Sequence, residues 1–240
     1  MAWWHFVGAS DYEKRVIQLG ENPRRVFNVG GLGVDAIKKT KLLSKNTLME
    51  KTGINFKIKN LLITFHPVTL EKDTSLRSFK ALLNVLNKLK NIYLIFTEPN
   101  SDSEGRIIKE MIYDYVQKHK KSSISFVSMG QLNYLSTLQY VDGVVGNSSS
   151  GLAEAPSFKI GTINIGDRQK GRLRASSVID CGQSESEILS SIKKLYSSDF
   201  QLKLKSVKNP YGEGNASDRI IEILDKSSVP KDIKKRFYDL

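Results

Sequence analysis

Between residues 60 and 196, short apolar runs rich in β-branched and aromatic residues alternate with longer stretches whose apolar positions recur every three to four residues. Residues 60–66, 92–96, 124–127, 141–145, 162–165 and 178–180 read as strands, and the spacing predicts helices over 74–90, 104–118, 131–139, from about 150, and over 185–196. In the run 124–127, Ile124 and Phe126 share one face by the strand period of two. Several of the other runs are apolar throughout, the pattern of strands covered on both faces. Six strands, most of them separated by helices, imply an α/β fold with a parallel sheet joined by right-handed crossovers.

The first 55 residues differ. His5-Phe6-Val7 reads as a strand end, 11–19 as a helix, 26–29 as a strand, and the glycine-rich 30–33 as a turn into a helix over 34–39. That is too little for a domain and reads as the end of a preceding lobe.

Composition narrows the function classes. With 37 Lys and Arg against 25 Asp and Glu, the net charge is +12, while 40% apolar and 26% charged residues describe a globular chain with a core. Only ten of the basic residues are Arg, and the Lys are scattered over helical stretches such as Lys38-Lys39, 118–121 and Lys193-Lys194. No zinc-finger spacing, RNA-recognition signature or basic-plus-heptad pattern accompanies them, so the charge reads as solvated faces and no nucleic-acid partner is expected. The single Cys181 excludes an internal disulfide and a Cys-rich metal site, and the three His have no metal spacing; neither metal nor cofactor is expected. No run approaches the ~18 apolar residues of a membrane span, and the opening residues lack the order of a secretory signal, so a cytoplasmic protein without a membrane partner is expected.

Parallel sheets of this kind bind ligands outside the carboxyl ends of their strands. The polar residues there are His66-Pro67, Pro99-Asn100-Ser101, Ser128-Met129-Gly130, Gly146-Asn147-Ser148-Ser149-Ser150-Gly151 and Gly166-Asp167-Arg168. The Ser-rich segment lies between a strand and a helix, where free N–H groups and hydroxyls stabilise a phosphate. A Ser-rich helix cap would look the same, and the six residues alone do not choose. They are neither a Walker loop nor a dinucleotide-binding glycine turn. Glu154, expected in the first turn or two of the helix, suits the helix dipole and equally suits acceptance of two hydrogen bonds from a ribose diol. Arg168 could pair with phosphate or lie flat on the surface.

His66-Pro67-Val68-Thr69, residues 146–151 with Glu154, Asn164-Ile165-Gly166-Asp167-Arg168-Gln169-Lys170-Gly171-Arg172, and Tyr211-Gly212-Glu213-Gly214-Asn215-Ala216 together resemble the hydrolysing UDP-N-acetylglucosamine 2-epimerases of sialic and related nonulosonic acid synthesis, in order and spacing over most of residues 5–225. The Arg-Gln-Lys-Gly-Arg stretch resembles the hydrolysing branch. The resemblance implies a glycosyltransferase-B-like fold, of which this chain holds a Rossmann-like UDP-binding lobe (57–225), a remnant of the N-terminal lobe with its linker (1–56) and a helical tail (226–240). It implies that Ser148 and Ser149 hold the diphosphate, Glu154 the ribose, and His66 and Arg168 the phosphates or sugar as the catalytic pair. Asn100 would line the pocket, the backbone around Met129 would read the uracil edge and Tyr134 would cover the base, while Gly212, Gly214 and Asn215 form a structural loop.

The implied reaction eliminates UDP to a 2-acetamidoglycal and rehydrates it to N-acetylmannosamine, with acid/base carboxylates supplied by the N-terminal lobe. That lobe is expected to be the missing intramolecular partner, so the chain alone is expected to bind UDP with little or no turnover, and an oligomer belongs to the full-length form. A bacillosamine-type UDP-sugar is an alternative substrate; a glycosyltransferase lobe and a noncatalytic UDP-binding module are alternative functions.

Overall fold

The computed structural model describes residues 2–68, 74–99, 103–232 and 234–239. In chain order the elements are β1 (His5–Val7), α1 (Ser10–Gln18), β2 (Val26–Asn28), α2 (Leu32–Lys39), α3 (Lys45–Thr52), β3 (Lys59–Thr64), α4 (Thr74–Asn87), β4 (Ile92–Thr97) and α5 (Ser103–Lys118). There follow β5 (Ser123–Phe126), α6 (Gly130–Leu138), β6 (Gly143–Gly146), α7 (Ser150–Ala153), β7 (Gly161–Ile165), β8 (Val178–Cys181), α8 (Glu185–Leu195), α9 (Ser198–Leu204) and α10 (Ala216–Lys226). They fall into two compact units, Lys41–Lys208 and Met1–Thr40 with Asn209–Leu240.

In the unit Lys41–Lys208, a wholly parallel six-stranded sheet runs in the order β5-β4-β3-β6-β7-β8. Each strand expected from the sequence is present, shifted by at most two residues at an end. Leu61, Ile63, Leu94, Phe96, Val145 and Ile163 join one core with Phe79, Leu82 and Leu86 of α4, Ile108 and Ile112 of α5, and Ile188 and Leu195 of α8. The intervening Leu62, Ile95 and Val144 point to the opposite face and are equally buried, which is why these runs show no polar alternation. Burying one such side chain contributes about 1.5–3 kcal/mol, against about 0–1 for an exposed pair such as Lys88–Glu185 between α4 and α8. The two apolar faces hold this unit together.

Strand order fixes where a ligand can sit. From β3 the chain runs outward through β4 to β5, and α6 then carries it back to β6 on the other side of β3, from which β7 and β8 run the other way. The order reverses between β3 and β6, and the crevice outside their carboxyl ends is the binding position of such sheets.

In the other unit, β1 and β2 pair in parallel, His5 against Val26 and Val7 against Asn28. Helix α10 begins at Asn215, which is left-handed and offers no side-chain cap. Asp35 of α2 caps it instead: its Oδ2 accepts the Ser217 N–H at 3.3 Å and the Ser217 hydroxyl. The Gly31 N–H donates to the Tyr211 carbonyl at 2.7 Å. These bonds draw residues 209–226 into this unit, where the sequence reading puts lobe limits at 56/57 and 225/226. The tail also differs from the expected helix: the described residues after Lys226 contain none, and Pro230 can supply no helical N–H. Lys235 instead reaches Glu21 at 2.5 and 2.6 Å, and His5 Nε2 lies 3.0 Å from the same carboxylate. Among the described residues, no helix is long and apolar enough to cross a membrane.

Candidate functional site

The site grows from the end of β6. Gly146 has φ 138°, and a Cβ there would lie 1.9 Å from the Thr64 carbonyl oxygen, so β6 can close against the end of β3 only with glycine at this position. The next residue ties three strand ends together. Asn147 donates its N–H to the Thr64 carbonyl at 3.1 Å. Its Oδ1 accepts the His66 N–H and its Nδ2 donates to the His66 carbonyl, each at 2.7 Å. Its own carbonyl accepts from Arg168 Nη1 at 3.0 Å and Gln169 Nε2 at 2.7 Å. His66 follows β3 and Arg168 follows β7, so the two residues expected to act together converge on Asn147.

Ser148 Oγ accepts the Ser150 N–H at 3.3 Å, forming the turn into α7. The N–H groups of Ser148 and Ser149 make no hydrogen bond among the described residues. Two unused donors on a half-exposed loop at the crevice are what an oxyanion requires. Gly151 closes the segment by seating α7 on β7: a Cβ would lie 2.5 Å from Thr162 Cγ2, and Thr162 Oγ1 donates to the Gly151 carbonyl at 2.7 Å.

The helix expected from about residue 150 with Glu154 in its first turn or two ends before Glu154. Helix α7 spans Ser150–Ala153 and a 3-10 turn follows over Ala155–Phe158, with Glu154 at the junction. Pro156 is the cause, since it lacks an N–H and disfavours helical backbone in the residue before it. The dipole of a long helix therefore does not account for Glu154 here. Among the described residues its buried Oε2 has no hydrogen-bond partner, which leaves an acceptor awaiting a hydroxyl.

Tyr134 lies on α6, half-buried, with its hydroxyl donating to Ser150 Oγ at 2.6 Å. Burial pushes this phenol up to about 12, with the nearby Glu154 charge adding to the rise. Met129 is buried at the start of α6, its carbonyl accepting from Asn133 Nδ2 at 3.0 Å, and the Gly130 N–H donates to Ser128 Oγ at 3.2 Å. Two of the backbone groups expected to face a uracil edge are thus engaged within the turn. Asn100 lies outside the described residues. Arg168 is exposed; desolvation, then the charge of Arg172, lowers its pKa, and a guanidinium so placed stays cationic and adds positive potential at the rim.

Two contributors escaped the sequence reading as individual residues. Asn147 is 2% exposed and Gln169 1%, and both act by fixing other groups. Both stood inside motifs, but a side chain that bonds only main chain leaves no chemical signature in its type. Among the described residues, no cluster of His, Cys, Asp or Glu could hold a metal ion. The assembled groups are donors for an oxyanion, a cationic rim and one unsatisfied carboxylate oxygen.

Residues 1–225 match the family model described as UDP-N-acetylglucosamine 2-epimerase. The chain is 40% identical over 201 residues to the GDP/UDP-N,N'-diacetylbacillosamine 2-epimerase (hydrolyzing) of Campylobacter jejuni, covering 84% of this chain and 52% of that protein. It is 37% identical over 243 residues to the polysialic acid biosynthesis protein P7 of Escherichia coli, covering 100% of this chain and 61% of that one. The chain thus spans little more than half the length of these relatives. Among solved structures it resembles the UDP-GlcNAc 2-epimerase of Neisseria meningitidis bound to UDP-GlcNAc, with a TM-score of 0.70 at 20% identity, over 94% of this chain and 61% of that one. The strand order, the loop at its reversal and the match over residues 1–225 agree, and the chain belongs to the UDP-N-acetylglucosamine 2-epimerase family.

Proposed function

We propose that this chain is the nucleotide-binding part of a hydrolysing 2-epimerase that converts UDP-N-acetylglucosamine and water to UDP and N-acetylmannosamine. The observation that carries the reading is the pair of unused N–H groups at Ser148 and Ser149, in the crevice where the strand order reverses and beside the cationic Arg168. In the proposed reaction the C1–O bond breaks towards the diphosphate as C2 loses its proton, leaving a C1–C2 double bond. Water then adds its hydroxyl at C1 and a proton at C2 from the opposite face. Because the C2 proton is weakly acidic, the rate depends on stabilising the leaving diphosphate. Ser148, Ser149, His66 and Arg168 serve that task, and Glu154 Oε2 accepts from the ribose hydroxyls. The backbone around Met129, the ring of Tyr134 and Asn100 serve the base end.

Glu154 serves the ribose in this arrangement, and proton transfer at C2 draws on groups beyond it. The 240-residue chain by itself accordingly binds UDP with little turnover. Calorimetric titration with UDP should give binding that Ser148→Ala weakens about tenfold or more, the scale of one or two charge-assisted hydrogen bonds. Binding unchanged by Ser148→Ala would remove the Ser148 hydroxyl from the phosphate and leave the two N–H donors, which alanine keeps, whereas a wild-type chain that binds no UDP would refute the reading. Turnover of UDP-N-acetylglucosamine at the rate of a full-length homologue would refute the dependence on further groups. The 40% identity to a diacetylbacillosamine epimerase favours a second substrate, UDP-N,N'-diacetylbacillosamine. Offering both sugars to the full-length protein and identifying the released 2-epimer separates the two.

A further inference from the structure

Two hydroxyls from two elements meet behind the loop. Tyr134 of α6 donates its proton to Ser150 Oγ of α7 at 2.6 Å. A phenol has a single proton, and this bond commits it to Ser150. Ser150 receives at its oxygen, and no bond among the described residues takes up its own proton.

We propose that Tyr134 is a positioning residue whose hydroxyl fixes Ser150 so that the Asn147–Ser150 segment is held ready and the Ser150 proton faces the diphosphate. The identity of the ligand rests on the UDP-binding reading above; the fixing of the loop rests on the Tyr134–Ser150 bond alone. In this role the ring and the hydroxyl of Tyr134 do different things: the ring belongs to the base end and the hydroxyl to the phosphate end. Burial keeps the phenol protonated, and hence a donor, throughout the neutral range.

Tyr134→Phe keeps the ring and removes the bridge, and two readouts on the 240-residue chain separate the claims. The first is amide hydrogen exchange without nucleotide. Exchange at the bonded loop amides of Asn147, Ser150 and Gly151 is expected to rise about tenfold in Tyr134→Phe, the effect of losing one hydrogen bond of about 1 kcal/mol or slightly more, with the strand amides of Leu62 and Ile163 unchanged. Unchanged exchange at the loop overturns the proposal whatever the nucleotide does. The second is calorimetry with UDP and with uridine. UDP affinity is expected to fall about tenfold and uridine affinity less than about twofold, with Ser150→Ala giving the same loss and the double variant adding nothing further. Equal losses for UDP and uridine would make Tyr134 a base contact only and overturn the proposal. If wild type binds no UDP while the loop still loosens in Tyr134→Phe, the positioning role stands and the nucleotide reading fails.

Discussion

Asn147 holds His66 by both of its main-chain polar groups, accepting the N–H and donating to the carbonyl at 2.7 Å each, across the boundary where the strand order reverses. The side chain thereby completes a short piece of sheet-like pairing beyond the end of β3. Asn147→Ala removes both bonds to the half-buried His66 main chain. It is expected to cost about 2–3 kcal/mol, read as a lower midpoint in urea unfolding. A loss below about 0.5 kcal/mol would mean that the two loops hold their positions without the clamp.

Gly146 and Gly171 both have positive φ, 138° and 81°, yet only Gly146 meets a neighbour. At Gly146 an added Cβ would overlap the Thr64 carbonyl, whereas at Gly171 nothing lies within 4 Å. Gly171→Ala is expected to cost about 1 kcal/mol from backbone conformation alone, and Gly146→Ala at least about 3 kcal/mol, because the strand ends must also separate. Thermal unfolding of the two variants side by side tests the difference, and equal shifts would contradict it.

Arg168 and Gln169 donate to the same Asn147 carbonyl but from opposite environments, exposed and fully buried. Gln169→Ala should lower stability by about 1–3 kcal/mol, the range for an unmatched buried group. Arg168→Ala should change stability by no more than about 0.5 kcal/mol. On the proposed function Arg168→Ala should still weaken UDP about tenfold, since it removes a charge from the rim. Urea titration and calorimetry on each variant check the two opposite rankings.

The phenol of Tyr134 is held at about 12 by burial, above the ~10 of an unfolded tyrosine. The folded state therefore keeps a proton that the unfolded state releases between these values. Stability from this group is whole below about pH 10 and is lost as the pH rises through 12. Absorbance titration should show a tyrosine class that ionises late and together with unfolding, diminished in Tyr134→Phe. Tyr115 is held at about 12 and Tyr196 is also raised, so the late class should shrink but not vanish.

Asp35 caps α10 from 182 positions away in sequence. Its hydrogen bond from the Ser217 hydroxyl, above all, holds the carboxyl below its usual range. The stabilisation is present above the ordinary carboxyl pKa of about 4 and is lost as the pH falls through the depressed value. Asp35→Ala is expected to speed amide exchange in Ala216–Lys226 while leaving the strands of the six-stranded sheet unchanged. Uniform acceleration throughout the chain would instead indicate a single cooperative unit.

The sheet was legible because strands buried on both faces leave unbroken apolar runs such as Leu61-Leu62-Ile63, short, rich in β-branched and aromatic residues and set between longer amphipathic stretches. Helices α3, α9 and α10 were not read. In α3 only Leu48 is buried, so no apolar stripe announces it, and its signals were the Ser44 cap and the left-handed Gly53 at its end. In α10 only Ala216 is fully buried, and the helix was placed too late, in the tail. At the site, His66, Arg168 and Ser148 to Ser150 could be picked out by residue type and place after a strand. The brevity of α7 depended on Pro156, and the work of Asn147 and Gln169 depended on main-chain partners that only the fold brings near.

The unit Met1–Thr40 with Asn209–Leu240 is completed by residues that lie on either side of the whole six-stranded sheet in the sequence. During synthesis residues 1–40 leave the ribosome long before the Tyr211 carbonyl and Ser217 that bind Gly31 and Asp35 exist. Lys41–Lys208, by contrast, is complete as soon as Lys208 has emerged. Since domains generally fold as units as they are made, the crevice at the strand-order reversal is the earlier product and the other unit closes last. A stop codon directly after Lys208 would therefore spare the crevice while leaving residues 1–40 without the segment that completes their unit.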